Sequence, residues 1–347
     1  MVGVIIGIYF EANRYIAEIY FSKAIALSTN SGQAANDATI NNISRALQFW
    51  QYDERYFQSL SQATFFQLND LLAKKDLPQE TLKAQFQNIT TNAVSAARQA
   101  QVLNPQNPSN GVLLGNIYEN LIPFISDAAS FALSSYGGAI SLDPQNPSNY
   151  LALARVEIAQ ADSAVNQKAS NEEINGYLDK AVSNLEESLK LKNDYAPARF
   201  LLVQVYDRQG KLADAIKRAE ELVSLNVNDV GALFQLGFLY YKNSQFDQSK
   251  PVFEKTVQLS PNYSNARYFL GLIYDRENPK DKAQAIEQFK KIVELNPDNN
   301  EVKQILANLK AKKPALFGIA PPAPAPQSRS EAPVQEGIKA PVKPLKK

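Results

Sequence analysis

Side chains that could carry acid–base or metal chemistry are few in this sequence, and their spacing does not build a site. The 347 residues include no His and no Cys, which removes His-based triads, thiolate nucleophiles and Cys- or His-ligated metals. Paired carboxylates catalyse only when they converge in a pocket. The acidic pairs here instead stand near Lys or Arg on predicted helices, at Glu172–Glu173, Glu186–Glu187 and Glu220–Glu221. We interpret them as solvated helix faces and predict a protein that is not an enzyme, with no catalytic residue, metal site or cofactor.

Composition indicates a folded chain without a general electrostatic partner. Hydrophobic residues make up 45% of the sequence, which is enough to build a core. The formal net charge is +1, so charge alone favours neither nucleic acid nor an anionic surface. We therefore predict no nucleic-acid partner and no small-molecule substrate.

A short landmark recurs along the chain and marks an internal repeat. It reads LNPQNPSN at 103–110, LDPQNPSN at 142–149, LSPNYSNA at 259–266 and LNPDNN at 295–300, with weaker forms at 191–198 and 225–232. The repeat spacings are 39, 49, 34, 34 and 36 residues when the following residues are taken as equivalent: Pro105, Pro144, Asn193, Val227, Pro261 and Pro297. A unit of about 34 residues with insertions is the period of tetratricopeptide repeats (TPRs).

The interior of each unit also resembles the TPR signature. The first half carries Leu-Gly followed by Tyr, or close substitutes, at Leu114, Gly115 and Tyr118; Leu202, Val203 and Tyr206; Leu236, Gly237 and Tyr240; and Leu270, Gly271 and Tyr274. The second half carries small and aromatic residues at Ala132, Tyr136 and Ala139; Ala215, Ala219 and Leu222; Ser249, Phe253 and Thr256; and Ala285, Phe289 and Ile292. The resemblance implies an all-α, right-handed α-solenoid of about seven TPR helix pairs plus a C-terminal capping helix.

Physical chemistry explains why these positions repeat. Leu, Gly and Tyr at positions i, i+1 and i+4 share one helical face, and the Gly lets the partner helix approach closely. A Pro after the last turn ends the second helix. Asn, Asp or Ser beside that break can cap the next helix.

The repeat pattern divides the chain into five segments. Residues 1–10 are an apolar segment, and residues 11–104 are divergent N-terminal TPR-like helix pairs. Residues 105–298 form a regular TPR array, and residues 299–313 a capping helix with a polar outer face. Residues 314–347 are rich in Pro and Ala and poor in large apolar groups, so we predict a disordered tail.

The resemblance to TPR proteins also places a candidate site on the concave groove, which is lined by the first helix of each pair. Aromatic side chains there suit a peptide or helical ligand, since they offer a large contact area with few rotatable bonds. The alternative is that these side chains only pack between adjacent first helices. The groove residues implied are Leu151, Arg155, Phe200, Gln204, Asp207, Phe234, Phe238, Tyr241, Tyr268, Leu272 and Asp275.

The apolar start, MVGVIIGIYF, leaves three interpretations open. It is the end of a transmembrane helix, the buried first turn of a soluble helix, or part of a secretory signal. The order of elements over roughly the first 150 residues also resembles, more weakly, the C-terminal TPR region of bacterial O-antigen ligase or polymerase membrane proteins. We therefore expect a bacterial, membrane-associated protein that contacts the membrane through residues 1–10, with a cytoplasmic location as the alternative.

These patterns favour a non-enzymatic scaffold that binds a protein or peptide in the groove. Two other functions remain open. One is the TPR tail of a glycan-assembly membrane protein whose catalytic part is absent from this chain, and the other is a passive structural spacer.

Overall fold

The computed structural model describes residues 2–30, 32–74 and 77–319, with side chains from residue 6 onward. Within these ranges the chain forms fifteen α-helices and no β-strand. The helices are α1 (Val2–Ser28), α2 (Gln33–Phe49), α3 (Glu54–Ala73), α4 (Gln79–Leu103), α5 (Pro108–Leu121), α6 (Ala128–Leu142), α7 (Pro147–Asn166), α8 (Asn171–Leu191), α9 (Ala196–Arg208), α10 (Leu212–Leu225), α11 (Val230–Lys242), α12 (Phe246–Leu259), α13 (Ser264–Glu277), α14 (Ala283–Leu295) and α15 (Asn300–Lys310).

The fifteen helices confirm the predicted all-α class. The described chain divides into two compact units, one up to Tyr177 and the other from Leu178. In the first unit α1 packs on α2, α3 on α4 and α5 on α6. In the second unit α9 packs on α10, α11 on α12 and α13 on α14, and α15 covers α14.

Each unit has its own apolar core of residues that face inward from successive helices. The main core of the first unit surrounds Phe86, Tyr118 and Tyr136, and a smaller one beside it surrounds Ile43 and Tyr56. The second unit contains one cluster around Val203 and Ala219 and another around Phe253 and Phe289. Neighbouring pairs thus share apolar surface, as expected of a repeat array.

All six predicted breaks lie between helices, and each leaves four residues outside helical structure, as at 226–229. Side-chain oxygens cap the helix that follows several of these breaks. Asn107 accepts from the Ser109 backbone N–H at 3.0 Å, and Asp229 accepts from the Gly231 N–H at 2.9 Å. The Asn-Pro sequence places its Asn at the N-cap and its Pro at the first helical position, where the missing N–H costs no hydrogen bond.

Two helices begin with Tyr at the N-cap and use a different contact. Tyr195 and Tyr263 make no capping hydrogen bond before α9 and α13. In each case an Arg of the first turn reaches back to the break: Arg199 Nε donates to the Asn193 carbonyl at 2.9 Å, and Arg267 Nε donates to the Pro261 carbonyl at 2.7 Å. Where the N-cap side chain makes no hydrogen bond, the Arg side chain of the following helix therefore holds the break in place.

The apolar N-terminus is helical but exposed where its side chains are described. α1 packs on α2 through Ala17, Phe21 and Ala24, whereas Ile8 and Tyr9 are both 64% exposed. The interpretation of residues 1–10 as a buried first turn is therefore wrong for residues 6–10. None of the helices in the described ranges combines the length and apolar character needed to cross a bilayer.

The C-terminal end of the described chain is more ordered than a disordered tail from residue 314 would be. Ala315 is buried, and Ile319 packs against the core shared by α13, α14 and α15. The remainder of the predicted tail, 320–347, lies outside the described residues.

Candidate partner-binding face

Glycines of the first helices set how closely each pair packs. A Cβ added to Gly115 would lie 2.5 Å from the Tyr136 ring, one on Gly237 2.8 Å from the Phe253 ring, and one on Gly271 2.6 Å from the Phe289 ring. The three rings are fully buried. The predicted role of the glycines is therefore confirmed: they leave room for an aromatic side chain of the second helix.

In the remaining signature pair of the second unit, the larger of the two side chains is on the first helix instead of the second. Val203 stands where α5, α11 and α13 have Gly, and Ala219 stands where α6, α12 and α14 have an aromatic residue. Both side chains are buried in the same cluster. The larger side chain has moved from the second helix to the first.

The signature tyrosines join consecutive pairs through a carboxylate twenty residues earlier. Tyr240 donates its hydroxyl hydrogen to Glu220 at 2.5 Å, and Tyr274 donates to Glu254 at 2.8 Å. Burial first, and then this hydrogen bond, raises the pKa of Tyr240 to about 12. Burial and the nearby Glu186 carboxylate raise the pKa of Tyr206, which lies in the same register.

Four of the five predicted aromatic groove residues form one cluster in the second unit, and these are Phe234, Phe238, Tyr241 and Tyr268. Phe269 lies at its centre, with ring centroids 6.2 Å from Phe234, 5.2 Å from Phe238 and 5.0 Å from Tyr241. Tyr268 lies 5.5 Å from Phe269. The aromatic groove residues are half-buried, so they pack between adjacent first helices and still present part of each ring to solvent.

The acidic groove residues of the second unit are paired with lysines. Asp207 accepts from Lys242 Nζ at 2.6 Å. Asp275 Oδ1 binds the nearly buried Lys282, and its Oδ2 accepts from the Ala315 backbone N–H at 2.9 Å. Gln204, Phe200 and Leu272 are half-buried. The face therefore offers apolar surface with little uncompensated charge.

The two groove residues of the first unit have different surroundings. Arg155 binds Glu119 with two hydrogen bonds, of 2.7 and 2.9 Å, and Glu119 also accepts from the Tyr136 hydroxyl at 2.6 Å. Burial and Glu119 raise the pKa of Tyr136, and the hydrogen bond to Glu119 raises the pKa of Arg155. Leu151 is buried, which leaves little of it for a partner to contact.

The acidic pairs noted in the sequence do not converge on a pocket. Glu220 binds Tyr240, and Glu221 pairs with Arg218 at 3.1 Å. Glu187 pairs with Lys190 at 2.7 Å on an exposed helix face. In the described part of the chain, no group of three or more acidic residues is placed to hold a metal ion.

Four residues at this face could not be predicted from the repeat pattern: Phe269, Asn308, Lys242 and Lys282. Phe269 has the non-aromatic counterparts Gln235 and Leu201 one and two repeats earlier, so periodicity gave no reason to select it. Asn308 lies in the capping helix α15 and donates to the carbonyl oxygens of Ala315 and Phe317, beside the groove residue Asp275, and no repeat unit supplies a comparison for it. Lys242 and Lys282, which pair with Asp207 and Asp275, lie outside the signature positions, and the repeat pattern does not show which charges the fold brings together.

Comparisons with known proteins find relatives of one architectural type. Two family models, both described as tetratricopeptide repeat, match residues 175–236 and 234–300. No curated protein matches the chain. The weaker resemblance to O-antigen ligase or polymerase proteins is unsupported.

Several crystal structures are similar in fold. A tetratricopeptide repeat protein from Parabacteroides merdae ATCC 43184 is 13% identical with a TM-score of 0.53, over 84% of this chain and 98% of that one. YrrB, described as a TPR protein with an unusual peptide-binding site, is 21% identical with a TM-score of 0.44, over 63% and 98% of the two chains. A thermophilic TPR protein from Thermus thermophilus is 19% identical with a TM-score of 0.42, over 62% and 98%.

Proposed function

Because this chain is a tetratricopeptide repeat protein, we propose that it is a non-enzymatic scaffold that binds a peptide or helical segment of another protein along the groove residues. TPR repeats in general bind protein partners, and that coarser function agrees with the family. The binding face and the chemistry of the ligand are our proposal.

The half-buried aromatic cluster of the second unit is the observation that carries this proposal. Phe234, Phe238, Tyr241 and Tyr268 are held by Phe269, so a partner would meet rings that are already ordered. Ordered aromatic surface loses little conformational entropy on binding. Since Asp207 and Asp275 are already paired, we expect an apolar ligand rather than one held by a single charge.

Selection from a random peptide library tests this proposal even though the partner is unidentified. Twelve-residue peptides displayed on phage would be selected on the wild-type chain and then titrated against Phe200→Glu, Gln204→Arg and Leu272→Glu. We expect these changes to weaken binding by tenfold or more, on the order of 1.4 kcal/mol, because each places a charge on the binding face.

Matched control changes lie on exposed positions of second helices, at Ala213→Glu in α10 and Gln258→Arg in α12. They should leave peptide affinity unchanged. Selected peptides that respond equally to both sets would reject the groove, and failure to select any peptide would favour the passive spacer.

We also propose that the N-terminal end of α1 contacts a membrane. Ile6, Ile8 and Tyr9 are exposed, and the Phe10 and Trp50 rings pack edge to face with centroids 6.4 Å apart. An exposed apolar helix end beside Trp and Tyr rings suits the boundary between lipid headgroups and acyl chains. This contact would place the scaffold at a bacterial membrane surface.

Vesicle flotation tests the membrane contact. The wild-type chain should float with phosphatidylglycerol-containing vesicles, and the double variant Ile8→Asp, Tyr9→Asp should remain in the soluble fraction. Val102→Asp is the matched control, since Val102 is also a strongly exposed apolar residue but lies at the end of α4. Equal flotation of the wild-type and double-variant chains would refute the contact.

A further inference from the structure

Residues 314–319 fold back onto α13 and α15 and are held there mainly by their backbone. The Ala315 N–H donates to Asp275 Oδ2 at 2.9 Å. Asn308 Nδ2 donates to the carbonyl oxygens of Ala315 at 3.0 Å and Phe317 at 2.8 Å. The Ala315 side chain is 2% exposed, and Ile319 packs on the same core as the groove residues of α13.

The two polar side chains that hold this segment are themselves poorly exposed. Asn308 is 5% exposed and gives its amide hydrogens to the segment, while the second oxygen of Asp275 has Ala315 as its partner. A buried polar group that has no hydrogen-bond partner destabilises the folded chain. Asn308 and Asp275 therefore have all of these hydrogen-bond partners only when a peptide backbone occupies the site.

We infer that Asp275 and Asn308 form a peptide-binding site whose ligand is the chain's own segment 314–319. All three hydrogen bonds go to the peptide backbone, so the sequence requirement lies in the small residue at 315 and the apolar residue at 319. The occupied site lies at Asp275, so the segment closes this end of the groove to an external ligand.

Connection within one chain explains why the internal segment holds the site. Only residues 311–313 separate it from α15, so its effective concentration is in the millimolar range or above. An added peptide of the same sequence must compete with that concentration. This inference goes beyond the proposed function, because the ligand is internal and the contacts stand whether or not an external partner binds.

The test uses the full chain and a fluorescent peptide with the sequence of residues 313–319, KPALFGI. The variant Ala315→Asp places a carboxylate in a buried position beside Asp275, which should release the internal segment. We expect chymotrypsin to cut after Leu316 and Phe317 at least about tenfold faster in the variant, since cleavage follows the open population. We also expect peptide binding by the variant and none by the wild-type chain.

Two controls separate release of the segment from damage to the site. Asn308→Ala added to Ala315→Asp should abolish binding of the peptide, and a peptide with the Ala315→Asp change should not bind. Circular dichroism should show equal helical content in all chains. Unchanged cleavage in Ala315→Asp, or a released segment without peptide binding, would overturn the inference. The phage-selected peptides are measured with changes at Phe200, Gln204 and Leu272 in chains that keep the internal segment, so failure of this inference can be told apart from failure of the proposed function.

Discussion

At the residue scale, the pairing of a glycine with an aromatic ring decides how two helices fit together. Gly271 faces Phe289 and Gly237 faces Phe253, and in both pairs the ring lies where a Cβ would be. Interiors packed to this density cannot absorb an added methyl group without displacing a neighbour. The Leu-Gly-Tyr spacing predicts this close approach, because a Gly at that position lets the partner helix come near.

Gly271→Ala should lower the free energy of unfolding by about 1–3 kcal/mol, since its Cβ would overlap the buried Phe289 ring. Gly138→Ala is the matched control: Gly138 lies inside α6 with open space around it, and the change should stabilise the chain by roughly 0.5–1 kcal/mol. Urea unfolding monitored by circular dichroism measures both. Shifts of the same sign would show that helix propensity, rather than overlap, governs these sites.

Tyr240→Phe should cost about 0.5–1.5 kcal/mol at neutral pH, because the hydrogen bond to Glu220 is lost. The pKa of Tyr240 is raised to about 12 in the folded chain, above the value of about 10 for an unfolded chain. The stabilisation is therefore fully present below pH 10 and is lost as pH rises from about 10 to 12.

Urea unfolding at pH 8 and pH 11 checks this dependence. The variant should lose less stability than the wild-type chain between the two values, and Tyr15→Phe, at an exposed side chain, should behave as wild type. Equal losses in all three chains would exclude Tyr240 as a source of the alkaline dependence.

At the element scale, the breaks and caps were predictable because they depend on neighbours in sequence. Pro105, Pro144 and Pro261 each follow the end of a helix, and Asn107 caps the helix that follows it. Contacts between distant segments were not predictable. The sequence of 314–319 resembles the rest of a Pro- and Ala-rich tail, and only Asp275 and Asn308, which are brought together by the fold, explain its order.

The residues of the candidate site also divide into those that were predictable from the sequence and those that were not. Sequence placed Phe234, Phe238 and Tyr268 on first helices at repeat-equivalent positions, and the structure brings these rings to one cluster. It did not indicate Phe269, which joins them, nor the exposure of the apolar end of α1. Burial of a helix face depends on whether another helix reaches it, and one sequence does not specify that.

Pro251→Ala should raise the stability of the chain by about 1–3 kcal/mol. Pro251 lies past the first turn of α12, where it removes a helical hydrogen bond and crowds the preceding turn. Pro108→Ala is the matched control, because Pro108 occupies the first helical position of α5, where Pro is preorganised. The urea midpoints of the two variants measure the difference. A gain at Pro108 equal to that at Pro251 would contradict the explanation.

At the scale of the whole molecule, the apolar core of each unit passes from one helix pair to the next and has no single centre. Within the second unit, the cluster around Val203 belongs to α9, α10 and α11, and the cluster around Phe289 belongs to the later helices. In such arrays the stability of each repeat depends mainly on itself and its neighbours. Local damage should therefore remain local.

Hydrogen exchange measured by mass spectrometry tests this expectation. Gly271→Ala should reduce protection in α13, α14 and α15 by on the order of tenfold or more while leaving α9 and α10 close to wild type. A uniform loss of protection from α9 to α15 would instead show that the second unit opens as one cooperative block.

The large side chain is on the first helix in the Val203–Ala219 pair and on the second helix in the glycine–ring pairs. This difference limits how the array can grow by gene duplication. A second helix with a buried ring fits only a first helix with glycine at the matching place, and a valine there accepts only a small side chain opposite. Recombination that joins one half of the Val203–Ala219 pair to the other half of a glycine–ring pair would bring two large side chains together or leave a hole. Viable duplications should therefore begin and end at the four-residue breaks and transmit each pair of helices as one heritable module.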